Sequence, residues 1–288
     1  MENLSNPSTI RELLTRHGFT FSKALGQNFL INPSVCPRIA EMGGAQPGFG
    51  VLEIGLGIGV LTAELAKRAD KVVGIEIDSR LLPVLQETLE EFDNVRIIHG
   101  DVLKVDLHRV IQEEFAGMEV AVCANLPYYI TSPILMSLLE QRLPIRSITV
   151  MVQREAAQRI CALPGTREVG AVSIAVQYYS QPKILFQVSR GSFMPAPEVD
   201  SCVIRLDVRA APAVPVQDEQ AFFRVVRGAF SQRRKTLSNC LSSSLGLPKG
   251  QIQQLLESAG VSPGARAEQL SMEQFGAVAD AYAMMISH

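Results

Sequence analysis

The chain has 288 residues, of which 47% are hydrophobic and 19% are charged, with a formal net charge of −2. This composition can bury a full core, which excludes global disorder, and the length predicts one large domain with a smaller one. Apolar runs approaching the roughly 18 residues of a membrane span are missing, and the first residues do not resemble a secretory signal. The five cysteines form no CxxC pair, which disfavours a metal site and fits free thiols in a reducing cytoplasm.

Charge is distributed unevenly along the chain. Residues 51–120 hold 7 basic and 14 acidic residues, whereas the remainder holds 20 basic and 15 acidic residues. The densest basic run has no acid within twelve positions and consists of Arg224, Arg227, Arg233, Arg234 and Lys235. A solvated helix face and a surface that binds a polyanion both fit this run.

The first 45 residues predict an N-terminal helical segment. Asn6 or Ser8 can cap a helix that ends near Gly18. Asn32-Pro33 is typical of a second helix start, and Gly43-Gly44 of its end. Residues 21–30, between the two helices, have no clear period.

From Val51 onward, short apolar runs alternate with amphipathic stretches. The runs lie at residues 51–54, 72–77, 95–98, 120–124 and 148–152. Each is typical of a buried strand followed by a helix, and the alternation predicts an α/β doubly wound sheet. Two later runs, at residues 184–188 and 202–208, are separated only by a loop and predict an antiparallel hairpin at the sheet edge.

A Pro/Ala linker at residues 210–215 marks the predicted domain boundary. Beyond it only helical periods occur, at about residues 218–230, 234–245, 250–259 and 271–286. Ser271 and Gln274 have the spacing of a capping box. The sequence therefore predicts an α/β domain over residues 1–209 and a small all-helical domain over residues 216–288.

A glycine-rich stretch, Glu53–Gly59, follows the first predicted strand. Its glycines allow a ligand to approach the backbone and expose N–H groups at the start of the next helix. The dinucleotide fingerprint G-x-G-x-x-G fails because the sixth position from Gly55 is Val60, which disfavours a nicotinamide oxidoreductase. A plain tight turn is the alternative interpretation.

Carboxylates follow the next two predicted strands. Glu76 lies 21 residues after Gly55, where an acid can accept hydrogen bonds from both ribose hydroxyls of an adenosine, and Asp78 is the better helix cap. Asp101 follows the third strand, where a carboxylate can accept from an adenine amino group. A glycine-rich loop after the first strand, Glu76 after the second and Asp101 after the third together resemble the pattern of class I S-adenosylmethionine (AdoMet) methyltransferases.

The fourth predicted strand ends in Asn125-Leu126-Pro127-Tyr128, which resembles the tetrapeptide of methyltransferases that act on exocyclic amino groups. An aromatic amine is a poor nucleophile because its lone pair is delocalised into the ring. The Asn125 side-chain oxygen and the Leu126 carbonyl can hold both amino hydrogens and direct the lone pair at a sulfonium methyl group. Pro127 constrains the turn, and Tyr128 offers a face for stacking. An Asn-Pro turn with a core tyrosine is the alternative.

Five segments together resemble the ribosomal RNA adenine dimethyltransferase family over about residues 20–285. They are LGQNFL at 25–30, EIGLGIG at 53–59, NLPY at 125–128, FMPAPEVDS at 193–201 and FSQRRKTL at 230–237. Within this family the chain most resembles the branch that acts on the bacterial small ribosomal subunit.

The resemblance implies a substrate, a cofactor and a set of binding residues. The substrate would be two adjacent adenosines in a hairpin near the 3′ end of small-subunit rRNA, methylated on their exocyclic amino groups with AdoMet as the donor. The N-terminal segment would cover the cofactor. The cofactor-binding residues implied are Gln27, Asn28, Leu30, Gly55, Gly57, Glu76, Ile77, Asp101, Val102 and Asn125.

The resemblance also bears on the target base and on partners. Phe193 is expected to stack on the target adenine opposite Tyr128 and to join the Asn125–Tyr128 tetrapeptide in the catalytic set, although on its own it would be interpreted as a buried residue. The helical domain and its basic run are expected to bind RNA. A cytoplasmic monomer is expected, bound to the small ribosomal subunit and to no membrane.

Two other functions stay open at this point. One is a large-subunit rRNA adenine methyltransferase of the kind that gives macrolide resistance, which the helical tail and the longer N-terminus disfavour. The other is a nucleic-acid-binding factor that kept the fold without catalysis, as an assembly or transcription factor. The complete Asn125–Tyr128 tetrapeptide and Glu76 favour an active enzyme.

Overall fold

The computed structural model describes residues 4–20 and 27–286, so Leu25 and Gly26 of the LGQNFL motif lie outside the described residues. By its internal contacts the chain divides into two compact units. The first comprises the chain up to Ala157 together with Lys183–Val208, and the second comprises Gln158–Pro182 together with the chain from Arg209 onward. The division near residue 209 lies beside the Pro/Ala linker. Residues 158–182 belong with the second unit, whereas the sequence analysis places them in the first domain.

The strands occur in the α/β part of the chain. In chain order they are β1 (Phe29–Leu30), β2 (Phe49–Ile54), β3 (Lys71–Glu76), β4 (Val95–His99), β5 (Glu119–Asn125), β6 (Ser147–Gln153), β7 (Ser180–Val188), β8 (Phe193–Met194) and β9 (Ser201–Val208). The helices interspersed with them are α1 (Pro7–Arg16), α2 (Val35–Met42), α3 (Val60–Ala66), α4 (Leu82–Thr88), α5 (Leu107–Glu114), α6 (Thr131–Glu140) and α7 (Arg154–Ile160).

The main sheet has the strand order β4-β3-β2-β5-β6-β9-β7. The pairs among β4, β3, β2, β5 and β6 are parallel, and β9 is antiparallel to β6. The predicted doubly wound sheet is therefore confirmed, and the two late strands do form one edge. The order of the strands reverses between β2 and β5, which opens a crevice at the carboxyl ends of these two strands.

The central strands are buried on both faces, which explains their continuous apolar sequences. Val51, Leu52, Val122 and Cys123 have no exposed surface. Parallel strands in such positions need no polar alternation, because helices cover both faces of the sheet. The side chains at the carboxyl ends of β2 and β5 are therefore held by a rigid support.

A side-chain hydrogen bond caps the start of the first helix but not that of the second. Asn6 caps α1 as predicted, with its side chain accepting from Ser8 N. Helix α2 begins at Val35, with Ser34 rather than Asn32 in the capping position. The Asn32 side chain instead accepts hydrogen bonds from the amide and hydroxyl of Ser34, because the chain makes a turn before the helix starts.

The second unit contains α8 (Ala171–Tyr179), α9 (Glu219–Ala229), α10 (Leu237–Leu245), α11 (Lys249–Ser258) and α12 (Met272–Ile286). The last four confirm the helical tail, and Ser271 and Gln274 form the predicted capping box. Among the described residues, no helix combines the length and apolar character needed to cross a membrane.

Aromatic packing explains why α8 belongs with the later helices. The Tyr178 ring stacks on Phe222 with centroids 4.7 Å apart, and the Tyr179 ring stacks on Phe223 at 5.6 Å. Both tyrosine hydroxyls donate to the Glu219 carboxylate. These contacts join segments about forty residues apart, so no local pattern in the sequence indicates them.

Candidate active site

A pocket opens where the strand order reverses, at the carboxyl ends of β2, β3 and β5. It holds about 910 Å³ of space, part of which is open to solvent. Predicted site residues that line it are Gln27, Asn28, Leu30, Gly55, Gly57, Glu76, Ile77, Asn125, Leu126, Pro127, Tyr128 and Phe193. The structure thus brings cofactor and catalytic candidates together in one cavity.

The glycine-rich loop forms one wall of the pocket. Gly55, Gly57 and Gly59 have φ angles of 73°, 58° and 87°, in the left-handed region that favours glycine. A Cβ at Gly57 would also lie 3.3 Å from the Phe29 ring. The loop backbone therefore lies close to Phe29 of the N-terminal segment, with no side chain at Gly57 to separate them.

Glu76 ends β3 with its carboxylate almost fully buried at the pocket wall. It accepts hydrogen bonds from Gly57 N at 3.2 Å and from Asp78 N at 2.8 Å. Burial raises the Glu76 pKa, and these backbone donors oppose the rise. The Leu56 backbone is a further donor, and because a carboxylate has about four lone-pair sites it can still accept from a bound ligand.

Asp78 has a structural role, as its interpretation as a cap predicts. It caps the short turn 79–81 and pairs with the Arg80 guanidinium, which holds the Asp78 pKa below its ordinary value. The Gln27 amide also donates to Asp78 at 2.7 Å. This bond ties the N-terminal segment to the end of β3 at the rim of the pocket.

Glu53 is a pocket residue that the sequence analysis did not assign to the site. Its side chain is 1% exposed within β2, and its Oε2 has no hydrogen-bond partner among the described residues. Burial raises the Glu53 pKa to about 8; the nearby Thr62 hydroxyl opposes the shift without a hydrogen bond of normal geometry. An acid inside an apolar strand just before a glycine loop was the available signal.

The Asn125–Tyr128 tetrapeptide follows β5 directly into the pocket. The Asn125 amide nitrogen lies 3.5 Å from the Asn28 carbonyl, and Leu126 N donates to Met151 O. Because the amide nitrogen faces Asn28, the oxygen of the same amide group points away from the Asn28 carbonyl. Asn125 lines the pocket, and an amide oxygen can accept a hydrogen bond from a donor group bound there.

Tyr128 and Phe193 reach the pocket from different elements. Tyr128 lies in the short turn 128–130, half-buried. Phe193 pairs with Leu30 in the two-stranded sheet formed by β1 and β8. Phe193 is only 3% exposed and packs in the core, and it also lines the pocket. Phe193 is therefore both a buried core residue and a residue of the pocket lining.

Asp101 and Val102 are the cofactor candidates that do not line the pocket wall. The Asp101 carboxylate accepts from Leu103 N at 3.0 Å and lies 3.6 Å from the Lys104 ammonium. Val102 is buried. The lining of this pocket therefore does not support the contacts that these two residues were expected to make with an adenine.

The predicted RNA-binding residues all lie in the second unit and are all exposed. Arg224 and Arg227 are on α9, and Arg224 lies over the Tyr282 ring at 5.5 Å. Arg233, Arg234 and Lys235 precede α10, and Arg233 donates to the Arg167 carbonyl. Within the described residues, no carboxylate lies within ion-pair distance of these five side chains.

Comparison with known proteins identifies the family. The model of the family described as ribosomal RNA adenine dimethylase matches residues 18–284. The chain belongs to this family. The resemblance drawn from the five sequence segments is thereby confirmed.

Two members of the family are similar to this chain over almost their full length. The chain is 51% identical over 286 residues to ribosomal RNA small subunit methyltransferase A of Geobacillus thermodenitrificans, covering 97% of each chain. It is 46% identical over 281 residues to the protein of the same name from Alkaliphilus oremlandii, covering 97% of this chain and 98% of the relative.

Solved structures show the same fold. A dimethyladenosine transferase from Plasmodium falciparum has a TM-score of 0.72 and 26% identity, covering 87% of this chain and 95% of its own. The 23S rRNA methyltransferase ErmE has a TM-score of 0.67 and 29% identity, covering 88% of this chain and 99% of its own. The first unit is therefore a Rossmann-like methyltransferase sheet, and a helical region follows it.

Proposed function

We propose that this protein transfers methyl groups from AdoMet to the exocyclic amino groups of two adjacent adenosines, in a hairpin near the 3′ end of small-subunit rRNA. The observation that carries the proposal is the Asn125–Tyr128 tetrapeptide, which opens into the same pocket as the Gly55–Gly59 loop and Glu76. Relatives at about 50% identity are named small-subunit methyltransferases, which supports this subunit over the large one.

The polar groups of the pocket fit the chemistry of AdoMet. Glu76 can accept from ribose hydroxyls, and the exposed Ile77 side chain offers an apolar surface beside it. A cationic group beside the unpartnered Oε2 of Glu53 would favour the ionised form of this side chain, because an opposite charge stabilises a buried carboxylate. When bound, AdoMet supplies a methyl group activated for attack by its sulfonium.

The chain's own residues prepare the amine as the nucleophile. The Asn125 oxygen and the Leu126 carbonyl accept its two hydrogens, which localises the lone pair on nitrogen. Because the attacked nitrogen becomes acidic only as its new bond forms, a strong base is unnecessary beforehand. Cys36 also lines the pocket, but burial raises its thiol pKa far above the ordinary value, so it offers no competing thiolate.

Stacking holds the adenine for this reaction. Tyr128 presents its ring at the pocket, and Phe193 lines the pocket from β8. A base enclosed by aromatic rings is held in one plane, which orients its amino group toward Asn125.

The helical second unit is proposed to bind the rRNA backbone. The five exposed cations have no carboxylate partners among the described residues, whereas Arg68 and Arg205 in the first unit pair with Glu64 and Asp207. An unneutralised cluster of this kind suits phosphates. We further propose a monomer that acts on the small subunit in the cytoplasm.

Methylation of purified ribosomal subunits tests the proposed function. Small and large subunits from cells that lack the protein are incubated with the chain and labelled AdoMet, and primer extension maps the product. Label in small-subunit rRNA with a stop at two adjacent adenines is expected. Label confined to large subunits, as the similarity to ErmE allows, would contradict the proposal, as would the absence of any transfer.

The buried carboxylate of Glu53 predicts a pH-dependent stability. The folded-state pKa of about 8 lies above the ordinary value of 4.5, so the folded protein holds this proton more tightly than the unfolded chain. Stability from this group is therefore present at low pH and falls as the pH rises toward 8. Between pH 6 and pH 8 the loss is about 2 kcal/mol in the free energy of unfolding.

Chemical denaturation at both pH values measures this effect. Glu53→Gln should lose most of the pH dependence, whereas Glu64→Gln, which removes a glutamate paired with Lys67 and Arg68, should retain it. Saturation with AdoMet should also reduce the dependence if a cation lies beside Glu53. Equal pH dependence in wild type and Glu53→Gln would show that this carboxylate does not carry the effect.

The basic run predicts the salt dependence of subunit binding. Replacing Arg233, Arg234 and Lys235 with glutamine should lower the slope of log affinity against log salt by about 0.7–0.9 for each phosphate that is no longer neutralised. AdoMet affinity should not change. Filter binding of small subunits over a salt series measures the slope.

A matched triple variant controls for net charge. Arg96, Arg109 and Arg146 are also exposed but are paired with Glu114, Glu113 and Glu119. Their replacement with glutamine makes the same change in charge and should leave the slope as in wild type. If both triples behave alike, the run before α10 is an ordinary solvated surface.

A further inference from the structure

Ser201 forms a hydrogen bond with Tyr128 that links two distant parts of the chain. The Ser201 Oγ lies 2.7 Å from the Tyr128 hydroxyl oxygen. Ser201 is the first residue of β9, is fully buried, and pairs with Gln153 at the end of β6. The serine hydroxyl is therefore held on the rigid sheet at the same edge as the pocket.

The Tyr128 ring needs such a support because its own backbone lies in a short turn. The turn 128–130 is a single turn of 3-10 helix that leads into α6, so local structure orders its backbone but does not by itself fix its side chains. The χ1 torsion of a side chain has three staggered wells, so the backbone alone does not fix where the far end of the ring lies. The hydroxyl oxygen lies on the axis of χ2 rotation, so a hydrogen bond there fixes where the far end of the ring lies.

The residue before Ser201 fixes the segment that carries the second aromatic ring. The Asp200 side chain accepts from Arg190 N at 3.0 Å, and its carbonyl accepts from Arg154 N at 3.0 Å. Arg190 begins the short turn that leads into Phe193. Two consecutive residues at the start of β9 thus contact the elements that carry Tyr128 and Phe193.

We propose that Ser201 is a positioning residue, which holds the Tyr128 ring in the position that receives the target base. This inference rests on the proposed function. The placement of the base relative to the methyl donor depends on where the stacked ring lies, and attack is sensitive to small misplacements. Ser201 acts through Tyr128 and has no contact with substrate assigned to it.

The two sides of the hydrogen bond can be removed separately. Ser201→Ala removes the support, and Tyr128→Phe removes the hydroxyl while it keeps the ring. Each variant should lower kcat for methylation of small subunits by roughly 3- to 10-fold, the worth of one hydrogen bond. The KM for subunits and the Kd for AdoMet should stay near wild type, since other residues make those contacts.

The double variant and a control complete the experiment. Ser201→Ala with Tyr128→Phe should be no slower than the slower single variant, because both changes remove the same bond. Ser147→Ala removes another buried serine at a strand start, at the amino end of β6, and should leave kcat unchanged. A signal from 19F-labelled Tyr128, identified by its loss in Tyr128→Phe, should shift in Ser201→Ala.

Each result separates this inference from the proposed function. An inactive wild-type chain would overturn the proposed function, and the positioning role with it. An active wild type with normal kcat in Ser201→Ala would overturn only the positioning role. Multiplicative losses in the double variant, or parallel losses in Tm, KM and AdoMet affinity, would show a general structural role instead. If Ser201→Ala fails to fold, normal kcat in Tyr128→Phe overturns the inference.

Discussion

Asn125→Ala is expected to lower the rate of methyl transfer by about 100-fold or more, the largest effect predicted for this protein. The change removes the side-chain acceptor at the end of β5 that would hold one amino hydrogen of the target adenine. Small-subunit binding should persist, because it depends on phosphate contacts made by other residues. Single-turnover transfer from labelled AdoMet, with folding checked by circular dichroism, measures the effect.

A conservative variant distinguishes the acceptor role from a role in the turn. Asn125→Asp keeps an oxygen acceptor in the same position and should retain more activity than Asn125→Ala. Asn94→Ala, which removes an asparagine that donates to the Ala66 and Ala69 carbonyls, should keep full turnover in the fraction that folds. Near-native turnover in Asn125→Ala would mean that this asparagine only shapes the turn.

Glu76→Ala is expected to weaken AdoMet binding by about 1.5–3 kcal/mol, or about 10- to 150-fold in Kd. Two ribose hydroxyls would lose a charged acceptor in a buried position. The same carboxylate accepts from Gly57 N and Asp78 N, so its removal also loosens the loop that forms the pocket wall. Isothermal titration calorimetry with AdoMet measures the affinity.

The two contributions of Glu76 can be separated by a second variant. Glu76→Gln keeps the shape and an acceptor oxygen while it removes the charge, so its loss of affinity should be intermediate. Glu90→Ala, an exposed glutamate of the same acidic region, should bind AdoMet as wild type does. Unchanged affinity in a folded Glu76→Ala would refute the assignment of this residue to the cofactor.

Local sequence patterns were sufficient to predict the strands, the helices and most of the residues that line the pocket. The apolar runs that predict strands depend on burial of both faces, and the structure shows that burial at Val51 and Val122. Parallel strands place their carboxyl ends at one edge, so residues just after β2, β3 and β5 had to lie near one another. This is why Gly55, Glu76 and Asn125, which the family resemblance groups together, line one pocket.

The tertiary structure was needed wherever a role depends on a partner distant in sequence. Ser201 meets Tyr128 across 73 positions, and α8 joins the helical unit through aromatic contacts with α9. Asp101 satisfies the same strand-end pattern as Glu76, yet it lies off the pocket wall.

The physical reason is the difference between periodicity and packing. Hydrophobic period, caps and glycine conformations act within a few residues, so the sequence by itself determined the strands, the helices, the family motifs and the edge of the sheet that carries the site. Burial and hydrogen bonding depend on which strands become neighbours. Insertion of β9 between β6 and β7 placed Ser201 beside Tyr128, and helix packing around β2 left the Glu53 carboxylate without a partner. Only the folded arrangement decided those two environments.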